Sequence, residues 1–173
     1  PSAAMALSDL YIEKGLELYK QKKIDEAKAY FDKAQKMNPE LVVPAEILFG
    51  VDIKSIRAFI STNSVTKAAY PKVSFALFNR SNKEINNIKA KIVYFIEGKE
   101  LDTQEKVLIS KEKPLKTNTS TSPYVLSSKL SVVPNKKNKN AQAKIYLSVN
   151  SDDTDWKLAK AIPFTIYTPP KPK

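Results

Sequence analysis

The chain contains no cysteine and no histidine. Their absence excludes disulfides and thiolate metal sites, and it removes the commonest metal ligand and general base. A Ser–His–Asp triad, a Cys–His pair and a zinc hydrolase cannot be assembled from these residues. Glycine is almost as scarce: Gly15, Gly50 and Gly98 stand too far apart to make a phosphate-cradling loop. Arginine is confined to Arg57 and Arg80, so lysine carries nearly all the positive charge. Such a composition fits a solvated surface better than the bidentate forks and stacking platforms of nucleic-acid readers. No apolar run approaches the roughly 18 residues of a membrane span. Carboxylate pairs and a Ser–Lys dyad remain formally available, but no spacing singles one out. A non-enzymatic chain is therefore expected, with no catalytic residues, no metal and no cofactor.

What is present fits a globular protein of two modules. The 173 residues are 42% hydrophobic, enough for one good core and a small satellite, and the net charge is +11 with a pI near 9.6. The expected division is a helical module over 1–50, a β domain over 51–168 and a Pro/Lys-rich tail over 169–173.

In the first module two helices are expected, Ser8 to Gln21 and Asp25 to Met37, with an apolar stripe at i, i+3, i+4, i+7. Tyr11, Leu18, Tyr30, Phe31 and Met37 supply bulk, while Gly15, Ala27 and Ala34 are small enough for close approach. The short turn Lys22-Lys23-Ile24 makes the helices antiparallel neighbours. Asp25 is the expected N-cap, and Asn38-Pro39 ends the second helix. Pro44 fits the first turn of a third helix, from which Ala45, Ile47, Leu48 and Phe49 can cap the hairpin.

Tyr11, Gly15, Leu18, Ala27, Phe31, Ala34 and Pro39 resemble one tetratricopeptide repeat in residue type and spacing. Lys14 and Lys22 depart from the pattern, standing where leucine and often glycine occur. The resemblance implies protein–protein interaction through the inner surface of the first helix, at Asp9, Ile12, Leu16 and Tyr19. That set lacks the Lys, Asn and Arg of a carboxylate clamp. One hairpin cannot bury its own stripe, and arrays need about three repeats. The face is covered by the chain itself, by a second copy in a homodimer, or by another protein.

Beyond residue 50 the period changes. Residues 51–60 read ambiguously, with β-branched content favouring a strand. Val73, Phe75 and Leu77 alternate within 72–79, then Ile88, Ala90, Ile92, Tyr94 and Ile96 give the longest clean alternation, closed by Glu97-Gly98-Lys99. Further strands are expected at 101–110, 124–133, 141–150 and 159–167. The fold class is thus α+β: a helical hairpin followed by an antiparallel immunoglobulin-like β-sandwich of six or seven strands. Trp156 lies too late in the chain to be the core tryptophan of an immunoglobulin domain.

The run 78–88, the following segment 92–101 and Pro114-Leu115-Lys116-Thr117-Asn118 resemble the FxLYD type of bacterial sandwich domain. This resemblance implies an extracytoplasmic or membrane-anchored bacterial protein of the cell envelope, and it implies no catalytic residues. The opening Pro1 to Ala6 fits the remnant of a removed signal or anchor, or of cloning. The densest charge cluster is Lys136, Lys137 and Lys139, with Lys144 nearby. It is the expected seat of an alternative function, attraction to an anionic envelope polymer or a peripheral lipid surface, whereas nucleic acid is not expected. Asp152-Asp153-Thr154-Asp155 reads as a solvated turn rather than a calcium loop, since the EF-hand glycine and distal glutamate are missing. Asn79-Arg80-Ser81 and Asn118-Thr119-Ser120 match a glycosylation triplet that matters only in a eukaryotic secretory setting.

Overall fold

The computed structural model describes residues 3–149 and 155–172, and the side chains of all of these except Ala4 and Met5. The expected turn at 152–155 lies outside the described residues except for Asp155. Helix α1 (Ala3–Lys20) packs against α2 (Ile24–Met37), and a single turn, α3 (Ala45–Leu48), leads into the strands. Helix α1 begins five residues before the expected Ser8, because Ala3, Ala4 and Ala6 are strong helix formers.

The α1–α2 connection is a Schellman turn. Lys23 N–H donates to Leu18 O at 2.9 Å and Lys22 N–H to Tyr19 O at 2.9 Å, with Lys22 in the left-handed region at φ 63°. This tight exit starts α2 one residue earlier than expected. Lys23, not Asp25, holds the N-cap position and makes no side-chain cap, while Asp25 and Glu26 lie in the first turn against the positive helix end. Gly15 is needed for packing: a Cβ there would stand 3.0 Å from Cε2 of the fully buried Phe31.

Residues 41–49 close the hairpin. Val43, Ile47 and Leu48 join Leu18, Ala27 and Phe31 in one buried cluster, against which Ile12, Tyr19, Tyr30, Leu41 and Phe49 pack. Ala45 turns the other way into the sandwich core, and Phe49 touches both clusters.

Seven strands follow: β1 (Val51–Thr62), β2 (Ala69–Asn79), β3 (Ile88–Ile96), β4 (Lys99–Ile109), β5 (Tyr124–Ser127), β6 (Asn140–Ser148) and β7 (Lys157–Thr165). They form two antiparallel sheets, β1-β2-β5 and β4-β3-β6-β7, the three-plus-four arrangement of an immunoglobulin-like sandwich. The alternating residues of β2, β3 and β6 meet between the sheets. Phe75, Leu77, Ile88, Ile92, Tyr94, Ile145 and Leu147 are all fully buried there. The Tyr94 hydroxyl donates to Leu126 O across the core.

Two local features redirect the strands. At Ser55 (φ 54°) the β1–β2 register shifts, a bulge that bends the long first strand. The expected strand 124–133 stops at Ser127. Ser128 Oγ donates to Leu130 O at 2.6 Å and Lys129 N–H to Asp102 Oδ2 at 2.7 Å, which pulls the chain out of the ladder.

The helices dock on the edge strand β7. Val43 N–H donates to Leu158 O at 3.1 Å, and Gln35 Nε2 bridges Leu41 O at 3.0 Å and Leu158 O at 3.3 Å. Lys157 reaches Asp32 at 3.7 Å, and Lys144 pairs with Glu40. The exposed backbone edge of β7 is thereby covered at its start.

Candidate functional site

Ile12, Leu16 and Tyr19 recur at i, i+4 and i+7 and so share a face of α1. The chain's own third turn covers only part of that face. Ile12 and Tyr19 are half-buried against the cluster of Ile47 and Leu48, whereas Leu16 is 41% exposed and Asp9 is exposed. On the opposite flank Leu7 and Leu10 are also solvent-facing, at 37% and 59%. Of the residues expected to cap the hairpin, Ile47, Leu48 and Phe49 do so, whereas Ala45 packs into the sandwich core and Val43 joins the cap instead; Leu16 is left as an open apolar tip. The polar ends of the stripe differ in sign. Asp9 opens it and Lys20 follows Leu16 by one turn, and neither makes an ion pair among the described residues.

The four lysines of the sandwich do not form one patch. Lys136, Lys137 and Lys139 belong to the exposed turn bridged by Asn135 and Asn138 ahead of β6. The backbone N–H groups of Lys139 and Asn140 donate to Glu97 Oε1 at 2.8 and 2.7 Å. These bonds, Asn140's foremost, hold the Glu97 carboxyl below its ordinary value. Lys144 lies further along β6 on the outer face of the four-stranded sheet. Its ammonium pairs with Glu40 and sits 5.1 Å from the centroid of Phe95.

That outer face also brings together residues that lie far apart in the sequence. Lys91 of β3 stands opposite Tyr146 of β6, and its Nζ lies 4.9 Å from the Tyr146 ring centroid and 5.0 Å from that of Trp156. Period-2 alternation places Lys89, Lys91 and Phe95 on the face opposite Ile88, Ala90 and Ile92. Only the β3–β6 register shows that Tyr146 and Lys144 share it.

A cavity of about 420 Å³ opens between the modules. Its walls include Pro44, Glu46, Asp52, Lys54, Arg80 and Lys160, with charges of both signs. Arg80 Nε donates to both Asp52 oxygens at 3.0 and 2.9 Å, an ion pair that holds the guanidinium pKa above its ordinary value. No group of three or more Asp or Glu able to hold a metal ion occurs among the described residues. Asn79 is fully buried, its amide donating to Lys83 O at 2.7 Å and Leu115 O at 3.0 Å, so its glycosylation triplet is closed to modification.

Fold and surface together define a two-part chain: a capped helical hairpin fixed to the edge of an antiparallel β-sandwich. No protein-family model and no curated protein matches it. Among solved structures it is similar to a β-glucuronidase of Bacteroides uniformis, at 14% identity over 63% of this chain and 13% of that one, with a TM-score of 0.47. A putative β-galactosidase from Bacteroides fragilis overlaps 67% of this chain and 15% of its own at 15% identity, with a TM-score of 0.42. The C-terminal domain of wzt overlaps 69% of this chain and 75% of its own at 10% identity, with a TM-score of 0.46. The chain therefore spans only a small fraction of the two glycosidases. The strand order, not these partial overlaps, defines the sandwich. No helix among the described residues is long and apolar enough to cross a membrane.

Proposed function

We propose that the chain is a non-enzymatic assembly module of the bacterial cell envelope, in which the hairpin is a single tetratricopeptide-type unit and the sandwich is of the FxLYD type. Its partner at the hairpin is a second copy of the same chain. The observation that carries this reading is Leu16, 41% exposed between the half-buried Ile12 and Tyr19. Among the described residues no second hairpin covers that residue, and the helical turn α3 stops short of it. The stripe is also self-complementary. With two α1 helices antiparallel about a two-fold axis, Asp9 of one copy meets Lys20 of the other while the Leu16 side chains enter the contact.

Light scattering across a concentration series tests the reading. The mass should rise from 19.4 kDa towards twice that value. A mass that stays monomeric at every concentration contradicts self-assembly through this face.

A further inference from the structure

The outer face of the β4-β3-β6-β7 sheet holds two lysine ammonium groups, each seated over aromatic rings. Lys144 lies over Phe95, and Lys91 lies over both Tyr146 and Trp156. On the β3–β6 ladder Lys91 is paired with Tyr146, two residues along β6 from Lys144. The two lysines are therefore diagonal neighbours on one face, with Cα atoms roughly 7–8 Å apart. Ring faces attract the cation and exclude part of its water, so an anion that meets it gains more than it would at a freely hydrated lysine.

The two sites differ in occupancy. The Lys144 ammonium holds the carboxylate of Glu40, which arrives on the linker segment between α2 and α3. The Lys91 ammonium has no carboxylate within ion-pair distance among the described residues, although Glu105 is its cross-strand neighbour. One cradle thus already binds a polypeptide carboxylate, and its neighbour presents the same chemistry open.

We propose that the Lys91–Tyr146–Trp156 cradle is a binding site for a carboxylate side chain of an extended acidic polypeptide segment belonging to a partner protein. The positive balance of the chain, +11, steers such a segment towards it. A polypeptide is favoured over a nucleic acid because the rings are already capped by ammonium groups and are not open for base stacking. It is favoured over a saccharide because the filled neighbouring cradle holds a peptide carboxylate. The surface is separate from the α1 stripe, so either proposal can fail without the other.

Trp156 is the only tryptophan in the chain, so its emission reports on the cradle. Titration of the full chain with poly-L-glutamate at low salt should give a saturable change in that emission, reversed by added salt. Lys91→Gln should weaken the binding about fivefold, and Lys91→Arg should retain it. Lys136→Gln/Lys137→Gln, in the turn ahead of β6, should bind as the parent does. Circular dichroism confirms that each variant is folded, and a direct mass-based binding assay covers any change in the intrinsic brightness of Trp156. The proposal is overturned by the absence of saturation, by undiminished binding in Lys91→Gln, or by equal or tighter binding of polygalacturonate, a single-stranded oligonucleotide or anionic vesicles.

Discussion

Gly50 and Gly98 share a left-handed backbone, with φ at +70° and +78°, but not the same surroundings. At Gly98, in the two-residue turn joining β3 to β4, an added Cβ meets nothing within 4 Å. At Gly50, where α3 passes into β1, it would stand 2.8 Å from Ser81 Cβ. A left-handed residue with a Cβ costs roughly 1–2 kcal/mol, of which about 0.4–1 kcal/mol is returned by the stiffer unfolded chain. Gly98→Ala should thus lose about 1 kcal/mol. Gly50→Ala carries the same backbone cost plus about 1–3 kcal/mol of overpacking, for a total of about 2–4 kcal/mol. Urea unfolding followed by circular dichroism measures both, and the difference isolates the Ser81 contact. Pairing Gly50→Ala with Ser81→Gly should recover part of that difference, after correction for the single Ser81→Gly change, whose hydroxyl donates to Asn79 Oδ1 at 2.7 Å. Equal losses at the two glycines would refute the reasoning, because they would mean that Gly50 is held by backbone sign alone.

Lys22 presents the opposite case, a lysine in a position that glycine prefers. Lys22→Gly should raise stability by about 0.5–1 kcal/mol, read as a melting temperature about 1–4 °C higher; a lower melting temperature contradicts the Schellman assignment. Glu97 links stability to pH. Its folded pKa is depressed below the ordinary 4.5, chiefly by the Asn140 and Lys139 N–H groups. Its contribution is therefore present above that ordinary value and is lost as pH falls through the lower folded value. Glu97→Gln should flatten the acid limb of a stability–pH profile below pH 4.5, and an unchanged limb assigns the acid sensitivity elsewhere.

The two-module plan and most of the β-sandwich were legible because buried faces impose periods of 3.6 and 2 on the residues that fill them. Ile88, Ala90, Ile92 and Tyr94 alternate without interruption and all are fully buried. Features set by long-range hydrogen bonds were not legible. The early end of β5 depends on Asp102, 27 residues away, accepting from Lys129. The start of α2 depends on a left-handed lysine, which no propensity scale suggests. For the surfaces, periodicity placed Ile12, Leu16 and Tyr19 on one helix face. How much of that face residues 41–49 would cover was decided by tertiary packing. The Lys91 cradle was hidden for a related reason: Lys91 and Tyr146 meet only through strand register, and Trp156 reaches them from the residue just before β7.

Leu16→Glu tests the central claim most directly. The side chain is 41% exposed, so a surface change of about 0.5 kcal/mol or less in stability is expected, with the circular dichroism spectrum preserved. Light scattering should then find the folded variant monomeric at concentrations where the parent chain approaches twice 19.4 kDa. Global unfolding of the variant would show that the face is internal core, and a folded variant that still associates would show that assembly uses another surface.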